Sequence, residues 1–454
     1  DVVYDPMLVD HELHKKYAEE KIDPEYLRHY EDTYGQPYPW QQLYCDRKMM
    51  MSIGPKEETT AVIDPLYAHE PLIRIFQARA KAIEKMLMEA KPDFIVFFAI
   101  GALGHLILYH VAKKMGIRVY NIDFPRVRNL VSISEDYNTL SAVEKTYKEM
   151  SRDADTPYHA QARALINNFR KTGSLNLQYL DIAVDQLPGH AQAGAWRRLV
   201  NSAQYLLTLS KNYQKNKRLF VYGQTDQRPL RFVWYKLKQR YRLWRGLGDL
   251  YDRVDLNAEQ KFAFFPLHYE PELAILLLSP FYFNQVETIR YIARSLPLDY
   301  KLYVKEHPAM YSKRARSYYK ELKKIPNLVL VDTDIKSCDL IRKAGLITTI
   351  TGTAGWEGVL LGKPVITFGG VFYNAIPCVK RIRNIESLPE VIRQQIYDFR
   401  YDEKDVEHFV AAVLKESVPF DFSALWFEND LDKLYRDRGM RAFCDKLMQE
   451  IRKV

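Results

Sequence analysis

Short apolar runs alternate with helical patterns throughout the C-terminal half of the chain. The runs are rich in aromatic and β-branched residues and occur at 262–266, 301–305, 327–331, 346–350 and 364–368. Helical patterns near 282–295, 312–323, 336–344 and 355–361 separate them. Strands that alternate with helices in this way build a parallel sheet covered on both faces. The pattern therefore predicts a Rossmann-like C-terminal domain with at least five parallel strands.

The N-terminal half shows the same alternation less clearly. A buried strand at 92–99, a helix at 101–115 and a strand at 117–122 follow a long helix at 71–90. Residues 140–215 and 230–245 have mostly helical patterns, and so does the tail from 405 onward, with an aromatic break at 420–427. These patterns predict an α/β protein with two Rossmann-like domains facing a central cleft, the GT-B plan, and an added helical region. The expected domains are residues 1–255 on the acceptor side, 256–405 for the nucleotide-sugar, and 406–454 as helices packing back across both.

Composition agrees with two folded domains. A chain of 454 residues exceeds one ordinary core, and 47% hydrophobic with 27% charged residues suits two cores under a polar surface. No apolar run approaches the roughly 18 residues that span a bilayer, and no signal peptide is recognisable. The chain begins at Asp1 without methionine, so we expect a start segment to have been removed.

The net charge and the cysteines indicate the kind of partner and the redox compartment. The net charge of +9 favours anionic partners such as nucleotides, phospholipid head groups or nucleic acid. Four scattered cysteines form no CxxC pair, which argues against a zinc site or disulfide framework and favours a reducing cytosol.

The segment after the fourth apolar run has the composition of a phosphate-binding turn. A turn containing Thr351, Gly352 and Thr353 precedes a helix expected to begin near Gly355. N–H groups at a helix start attract phosphate, and glycine allows the backbone to approach an anion closely. Glu357, one turn into the helix, can accept both ribose hydroxyls of a nucleotide. The alternative is an ordinary threonine-capped turn with a solvated glutamate.

The second strand of the C-terminal sheet ends in Lys305, Glu306, His307 and Pro308. The carboxyl edge of a doubly wound sheet is where ligands bind, so His307 can donate to a phosphate oxygen and Lys305 adds positive charge. Pro308 stops the strand and stiffens the loop. The alternative is a surface histidine at a strand end.

The loop after the first strand of that sheet carries His268, Glu270 and Glu272. A carboxylate at this edge can act as a nucleophile or as a general acid or base. The alternative is that the two glutamates cap the next helix.

These three segments together resemble the capsule polysaccharide biosynthesis family, which includes bacterial β-Kdo transferases. The resemblance covers roughly residues 260–375 well and the N-terminal half loosely. It implies that His307-Pro308 and Thr351-Gly352-Thr353 hold the phosphate of a CMP-sugar. It also implies a nucleophilic role for Glu272, which falls nearest an aspartate of the family, whereas His268 stands where a glutamine is usual.

Acidic residues after the predicted strand 117–122 are expected to serve the acceptor side. Asp123, Glu135 and Asp136 would face the cleft, where one can act as general acid or base. Arg126 and Arg128 nearby can hold an anionic acceptor. The alternative is that all three carboxylates are ordinary loop acids.

Residues 228–248 mix seven arginines and lysines before Gly246 with Trp234, Tyr235, Tyr241 and Trp244, and this pattern predicts a basic amphipathic helix. Such a helix can lie on an anionic membrane surface, whereas the alternative is a packed helix with a solvated basic face. No nucleic-acid recognition motif appears, so no nucleic-acid partner is expected.

The predicted function is a glycosyltransferase that moves a sugar, Kdo or a related acidic sugar from a CMP donor, to a growing or lipid-linked bacterial surface polysaccharide. The predicted partners are a nucleotide-sugar donor and a glycan or glycolipid acceptor, in the cytoplasm or on the inner face of the membrane. A nucleotide-sugar epimerase of GT-B fold and a non-catalytic capsule-assembly protein remain alternatives. No cofactor is expected, and no metal, because the phosphate region lacks a DxD-type carboxylate pair.

Overall fold

The computed structural model describes residues 20–34, 38–50, 65, 67–98, 100–151, 155–175, 229–311, 313–420 and 431–452. The expected helices between 176 and 215 and the aromatic break from 421 onward lie outside the described residues. The strands are β1 Phe94–Phe97, β2 Arg118–Asp123, β3 Leu130–Ser134, β4 Phe262–Pro266, β5 Lys301–Lys305, β6 Leu328–Val331, β7 Leu346–Thr349, β8 Val365–Thr367, β9 Val379–Arg381 and β10 Ser417–Pro419.

The α-helices alternate with these strands in the C-terminal half and cluster before and after them elsewhere. They are α1 Pro24–Thr33, α2 Pro39–Cys45, α3 Arg47–Met50, α4 His69–Ala90, α5 Leu103–Lys114, α6 Ser141–Glu149, α7 Pro157–Thr172, α8 Pro229–Arg245, α9 Leu273–Leu278, α10 Gln285–Ser295, α11 Arg316–Leu322, α12 Ser337–Lys343, α13 Thr353–Leu360, α14 Leu388–Tyr397, α15 Glu403–Glu416, α16 Leu431–Arg436 and α17 Arg438–Arg452. Short 3₁₀ turns occur at Pro308–Met310, Phe372–Ala375 and Ile385–Ser387. Among the described helices, none is long and apolar enough to cross a membrane.

The C-terminal sheet confirms the predicted parallel architecture. Its six described strands lie in the order β6–β5–β4–β7–β8–β9, and every neighbouring pair is parallel. In chain order this is 3-2-1-4-5-6, the doubly wound arrangement of Rossmann-type sheets. The strand order reverses between β4 and β7, so the loops that follow these two strands flank the position where such sheets bind ligands.

The N-terminal sheet is mixed. Its described strands lie in the order β1–β2–β3–β10, with β1 and β2 parallel and the other two pairs antiparallel. The expectation of a second parallel Rossmann-like sheet holds only for β1 and β2. The cause is the short connection 124–129, since a parallel crossover needs a dozen residues or more and β3 therefore has to run back along β2.

The C-terminal tail returns to the N-terminal half. Helix α15 packs against α6 and α7, and β10 then adds an antiparallel strand beside β3. Phe443 on α17 is buried and packs on Phe420, with their ring centroids 5.0 Å apart. The two halves also share an apolar core, in which Leu43 and Leu106 from the N-terminal half lie in one cluster with Ile275 of α9. The domain boundaries at 255 and 405 stay predictions.

Candidate functional site

The turn between β7 and α13 is closed by contacts inside the protein. The amide of Gly352 donates to Thr349 Oγ1 at 3.0 Å, and the amide of Thr351 donates to His268 Nε2 at 3.2 Å. A Cβ at Gly352 would lie 2.7 Å from Thr349 Oγ1 and 3.1 Å from His268 Nε2, so only glycine fits this N-cap position. Two turn amides expected to meet phosphate therefore already have partners.

The donors left for an anion lie one residue further on. Helix α13 begins at Thr353, two residues earlier than expected. The amide of Gly355 donates to the carbonyl of Gly352 at 3.3 Å, and the amides of Thr353 and Ala354 precede it with no carbonyl of the helix to donate to. The hydroxyl of Thr351 is buried and has no hydrogen-bond partner in the structure. The site expected for phosphate is thus the first turn of α13 and the Thr351 hydroxyl.

Gly355 serves packing at the third residue of α13. A Cβ there would overlap the Tyr373 hydroxyl and lie 2.9 Å from Tyr373 Cζ. Tyr373 needs this space because its hydroxyl donates to the carbonyl of Gly352 at 2.7 Å, across the helix start. Gly355 therefore shapes the turn through Tyr373, and its direct role in nucleotide binding stays a prediction.

His268 is a buried, neutral part of the turn. Its backbone amide donates to Gln285 Oε1 at 2.7 Å, which fixes the loop after β4 to α10. Burial, aided by the charges of Arg314 and His307 and opposed by a hydrogen bond with Gln285, lowers the pKa of His268 to about 3. Because Nε2 accepts the Thr351 N–H, the ring proton belongs on Nδ1. His268 therefore orients the turn as a hydrogen-bond acceptor.

Glu270 belongs to a buried ion cluster. Its Oε2 accepts from Arg314 Nε at 3.1 Å and Nη2 at 2.8 Å, while Oε1 is buried without a partner. Arg314 Nη1 also donates to Glu306, whose other oxygen accepts from the Tyr319 hydroxyl at 2.6 Å. Burial alone would lower the pKa of Arg314, but Glu306 and Glu270 hold that pKa well above its usual value.

This cluster explains the loop geometry. Arg314 Nη2 donates to the carbonyl of His268 at 2.6 Å, so one guanidinium joins the loop after β4 to the loop after β5. Sequence analysis did not anticipate Arg314, because it lies 44 residues from Glu270 and only the folded sheet brings them together. Two glutamates at neighbouring strand ends were the only available signal that a buried cation should face them.

Glu272 occupies the N-cap position of α9, but its side chain makes no capping hydrogen bond. Burial raises the pKa of its carboxyl group, against the opposing charges of Arg126 and Arg47. Arg47 is held in place by donating to the carbonyl of Pro271 at 3.3 Å. Helix capping therefore does not account for Glu272, whose carboxyl group lies among arginines from the N-terminal half.

His307 projects at the end of β5 with a defined tautomer. Its Nδ1 accepts from the amide of Ala309 at 3.2 Å, so the proton of the neutral ring belongs on Nε2. Burial lowers the pKa of His307, although the nearby Glu306 carboxylate opposes this. The ring meets Tyr269 edge to face, at 6.1 Å between centroids, and Pro308 begins a 3₁₀ turn. His307 can therefore donate from Nε2 at neutral pH.

Lys305 and Glu357 form the outer part of the same sheet edge. Burial raises the pKa of Glu357 to about 7, and Lys305 acts against this rise. Burial lowers the pKa of the Lys305 ammonium, which donates to Ser337 Oγ at 3.2 Å. Glu357 lies four residues after Thr353, so both residues share one face of α13. A carboxyl group that titrates near neutrality faces the helix start.

The three acidic residues of the N-terminal half separate. Asp123 ends β2, and burial raises its pKa against a hydrogen bond from Phe124 and the charge of Arg126. Glu135 and Asp136 follow β3, which runs antiparallel to β2 and ends beside Asn121. Glu135 and Asp136 therefore lie at the opposite end of β2 from Asp123, and an acid–base role for any of the three stays a prediction.

Metal-ligand clusters are absent from the described part of the chain: no group of three or more His, Cys, Asp or Glu residues there is arranged to hold an ion.

The fold defines the class of protein. Two α/β units, with a doubly wound parallel sheet in the C-terminal half, form a glycosyltransferase-like fold of GT-B type. The family is indicated by residues 213–386, which match the family described as capsule polysaccharide biosynthesis protein. The resemblance seen in the sequence is thereby confirmed for this segment, which covers less than half of the chain but carries every candidate residue from His268 to Glu357.

Solved structures show more distant likenesses. Thermosulfurimonas dismutans KpsC, a β-Kdo 2,7 transferase, is 13% identical to this chain. The match covers 75% of this chain and 83% of KpsC, with a TM-score of 0.40. The KpsC β-Kdo 2,4 transferase of the same organism is 14% identical. The match covers 70% of this chain and 78% of that protein, with a TM-score of 0.32. The UDP-GlcNAc 2-epimerase from Methanocaldococcus jannaschii is 14% identical. The match covers 78% of this chain and 86% of the epimerase, with a TM-score of 0.26. No curated protein matches the chain, and at these scores none of the likenesses identifies a substrate.

Proposed function

We propose that the protein is a glycosyltransferase that moves a sugar from a nucleotide-sugar donor to a bacterial surface polysaccharide under construction. The observation that carries the proposal is that three chemically different groups, a helix start, a histidine and a carboxyl group, follow the neighbouring strands β7, β5 and β4 of the parallel sheet. A helix start follows β7, a neutral histidine donor follows β5, and Glu272, a carboxyl group that makes no capping bond, lies in the loop after β4 between them in the sheet order. The first two suit a phosphate, and the carboxyl group suits an electron-poor anomeric carbon.

The proposed donor is a CMP-activated acidic sugar, Kdo or a relative of it. The family match over residues 213–386 supports this choice, and so do the positions of His307 after β5 and Thr353 after β7, the two strands that flank β4. In this assignment His307 Nε2 and the first turn of α13 bind the donor phosphate, and Glu357 accepts the ribose hydroxyls. Glu272 acts on the transferred sugar, and Asp123 is the remaining acid–base candidate across from it.

The proposed place of action is the inner face of the cytoplasmic membrane, where a lipid-linked acceptor would be met. Helix α8 supports this, because Trp234, Leu237, Tyr241 and Trp244 recur on one of its faces and are all exposed. Trp244 is 80% exposed, which is far more than a packing residue needs. Aromatic and basic residues together on an exposed helix suit an anionic lipid surface.

Calorimetry with CMP, UDP, GDP and CDP tests the donor assignment. We expect CMP to bind best and both His307→Ala and Thr353→Ala to weaken it, each by about 1.5–3 kcal/mol for a lost charge-assisted hydrogen bond. Thermal unfolding of the variants should match that of the parent, because neither side chain is part of the buried core. Unchanged CMP affinity in both variants would reject the phosphate site.

Turnover separates transfer from the alternatives. A transferase consumes CMP-Kdo only when an acceptor glycan is present, whereas an epimerase of the same fold converts its donor alone. A non-catalytic assembly protein consumes no donor under either condition. Donor conversion without acceptor, or no conversion with any nucleotide-sugar, would overturn the proposed function.

A further inference from the structure

The loop that joins β2 to β3 is tied directly to the helix that bears the candidate phosphate site. The indole Nε1 of Trp356 donates to the carbonyl of Arg126 at 3.2 Å, and Trp356 is fully buried on α13. Arg126 and Arg128 both adopt left-handed backbone angles, with φ of 56° and 47°. Residues other than glycine rarely adopt this conformation, and it persists only where the surroundings enforce it. The loop is therefore held in one defined position against α13.

The charge of Arg126 acts on groups from three separate elements. It lowers the pKa of Asp123 at the end of β2, of Glu272 in the loop after β4, and of Tyr373, although burial is the larger influence on each and acts in the opposite direction. Tyr373 donates to the carbonyl of Gly352, the N-cap of α13. Together with the 3.2 Å hydrogen bond from Trp356 to the Arg126 carbonyl, these influences place Arg126 where the loop after β2 meets the helix that follows β7.

Two other arginines of this region bind groups of the protein. Arg314 is enclosed by Glu270 and Glu306, and Arg47 donates to the carbonyl of Pro271. Arg126 reaches α13 from the loop between β2 and β3, where its carbonyl accepts from Trp356. A guanidinium facing a helix N-terminus creates a site for an anion, and its planar fork suits the oxygen pairs of phosphate and carboxylate.

We propose that Arg126 binds the anionic group of the nucleotide-sugar donor from the N-terminal side, opposite the first turn of α13. This inference rests on the proposed function and adds a specificity-determining residue to it. Two donor groups share the required chemistry, namely the phosphate that leaves with the nucleotide and the carboxylate of an acidic sugar. A donor lacking both would gain nothing from this residue.

The test compares Arg126→Gln and Arg126→Lys with Arg128→Gln as the matched control. Arg128 lies in the same loop with the same backbone conformation but is exposed, and its charge is not among those that shift the pKa of Glu272 or Tyr373. Calorimetry with CMP and with CMP-Kdo measures affinity, and thermal unfolding checks that each variant folds. Arg126→Lys keeps the charge and guards against a fold defect in Arg126→Gln.

We expect Arg126→Gln to weaken CMP-Kdo binding at least about tenfold, in the range of a lost charge-assisted hydrogen bond. Arg128→Gln should stay within about twofold of the parent, and Arg126→Lys should recover part of the loss. An equal loss with CMP assigns Arg126 to the phosphate, whereas a loss confined to CMP-Kdo assigns it to the sugar carboxylate.

Parent-like affinity of Arg126→Gln for both ligands overturns the inference. If His307→Ala weakens CMP binding in that case, the nucleotide site stands and only the role of Arg126 is lost. If the parent binds neither CMP nor CMP-Kdo, the proposed donor fails, and the inference about Arg126 fails with it.

Discussion

Three glutamates of the candidate site differ in what surrounds their carboxyl groups. Glu270 is neutralised by a buried arginine, Glu272 lies near two arginines of the N-terminal half, and Glu357 has only Lys305 to oppose its burial. A buried carboxylate already paired with a cation is poorly suited to attack a substrate, because the cation neutralises its charge. The surroundings therefore favour a structural role for Glu270, and the chemical role of Glu272 stays a prediction.

Glu272→Gln should abolish most of the turnover while leaving nucleotide binding intact. A carboxylate that attacks the anomeric carbon, or stabilises charge on it, acts mainly in the transition state. We expect the rate to fall at least ~100-fold, the scale for a group of this kind. Donor turnover and CMP affinity, measured on the same preparation, check this. A rate within a few-fold of the parent would leave Glu272 without a chemical role.

Glu270→Gln is the matched control, since it makes the same change two residues away. It leaves the Arg314 guanidinium with a weaker partner in a buried position, and breaking such a pair costs about 3–5 kcal/mol. The expected result is a lower midpoint of thermal unfolding, with any loss of rate following the loss of folded protein. Unchanged stability would contradict the structural role of the cluster.

Glu357 should make nucleotide binding depend on pH. Its pKa of about 7 means that the carboxylate, the form that accepts from both ribose hydroxyls, becomes dominant as pH rises from 6 to 8. Affinity for CMP should therefore increase with pH, by at most about tenfold per unit below the pKa. Because a nucleotide phosphate also titrates near pH 6, Glu357→Gln provides the reference curve. Identical pH profiles for parent and variant would exclude the ribose role.

At the scale of elements, the strands of the C-terminal sheet follow directly from apolar patterning. The runs at 262–266 and 301–305 match β4 and β5, because strands buried on both faces have nearly continuous apolar sequences. The short strands β3 and β10 escaped prediction. β3 pairs antiparallel with both β2 and β10, and the edge strand β10 comes from nearly 300 residues further along the chain, which no local pattern records.

Helix α8 combines exposed aromatic residues with a basic surface that has more than one role. Arg242 donates to the carbonyl of Lys313 at 2.7 Å, and Arg245 pairs with Asp249, so these two arginines also hold the helix to the protein. Arg240 is exposed, and Lys238 lies 5.7 Å from the centre of the Trp234 ring. A test of membrane attachment should therefore change Arg240 and the exposed tryptophans, and leave Arg242 in place.

Arg240→Gln should weaken binding to vesicles that contain phosphatidylglycerol, and it should leave CMP affinity unchanged. Each basic residue near an anionic surface contributes about 1 kcal/mol, a factor of about five in partitioning. Trp244→Ser should weaken binding to the same vesicles through lost apolar contact. Sedimentation with phosphatidylcholine vesicles provides the reference. Equal binding of the parent to neutral and anionic vesicles would count against an electrostatic anchor.

At the scale of the whole molecule, the candidate site is assembled from both halves. The sequence identified His268, His307, Thr351 and Glu357, since each follows or begins an element that the apolar pattern defines. It did not reveal that Arg314 joins the loops after β4 and β5, because a positive charge in a polar loop carries no signal of where folding will place it. Partners of a site that lie on other elements are specified by packing, which single-sequence patterns do not encode.

Several histidines are buried as neutral rings in different parts of the molecule. Burial lowers the pKa of His268 to about 3 and of His110 to about 4, and it also lowers the pKa of His105 and His159. His159 Nε2 and His408 Nδ1 lie 3.1 Å apart, joining α7 to α15 across the two halves of the chain. The folded state therefore binds fewer protons than the unfolded chain between about pH 4 and the ordinary histidine pKa of about 6.5.

Acid should consequently destabilise the fold before most carboxylates titrate. The stability these neutral rings provide is fully present above about pH 6.5 and is lost as pH falls towards their folded pKa values, at up to about 1.4 kcal/mol per pH unit for each fully neutral ring. His110→Phe removes one titrating group while keeping the edge contacts with Tyr109 and Tyr137, whose centroids lie 5.1 and 6.3 Å away. Urea unfolding of parent and variant between pH 7 and 5 measures the slope, which should be shallower in His110→Phe. Equal slopes, or stability that stays constant down to pH 5, would show that His110 does not titrate on unfolding.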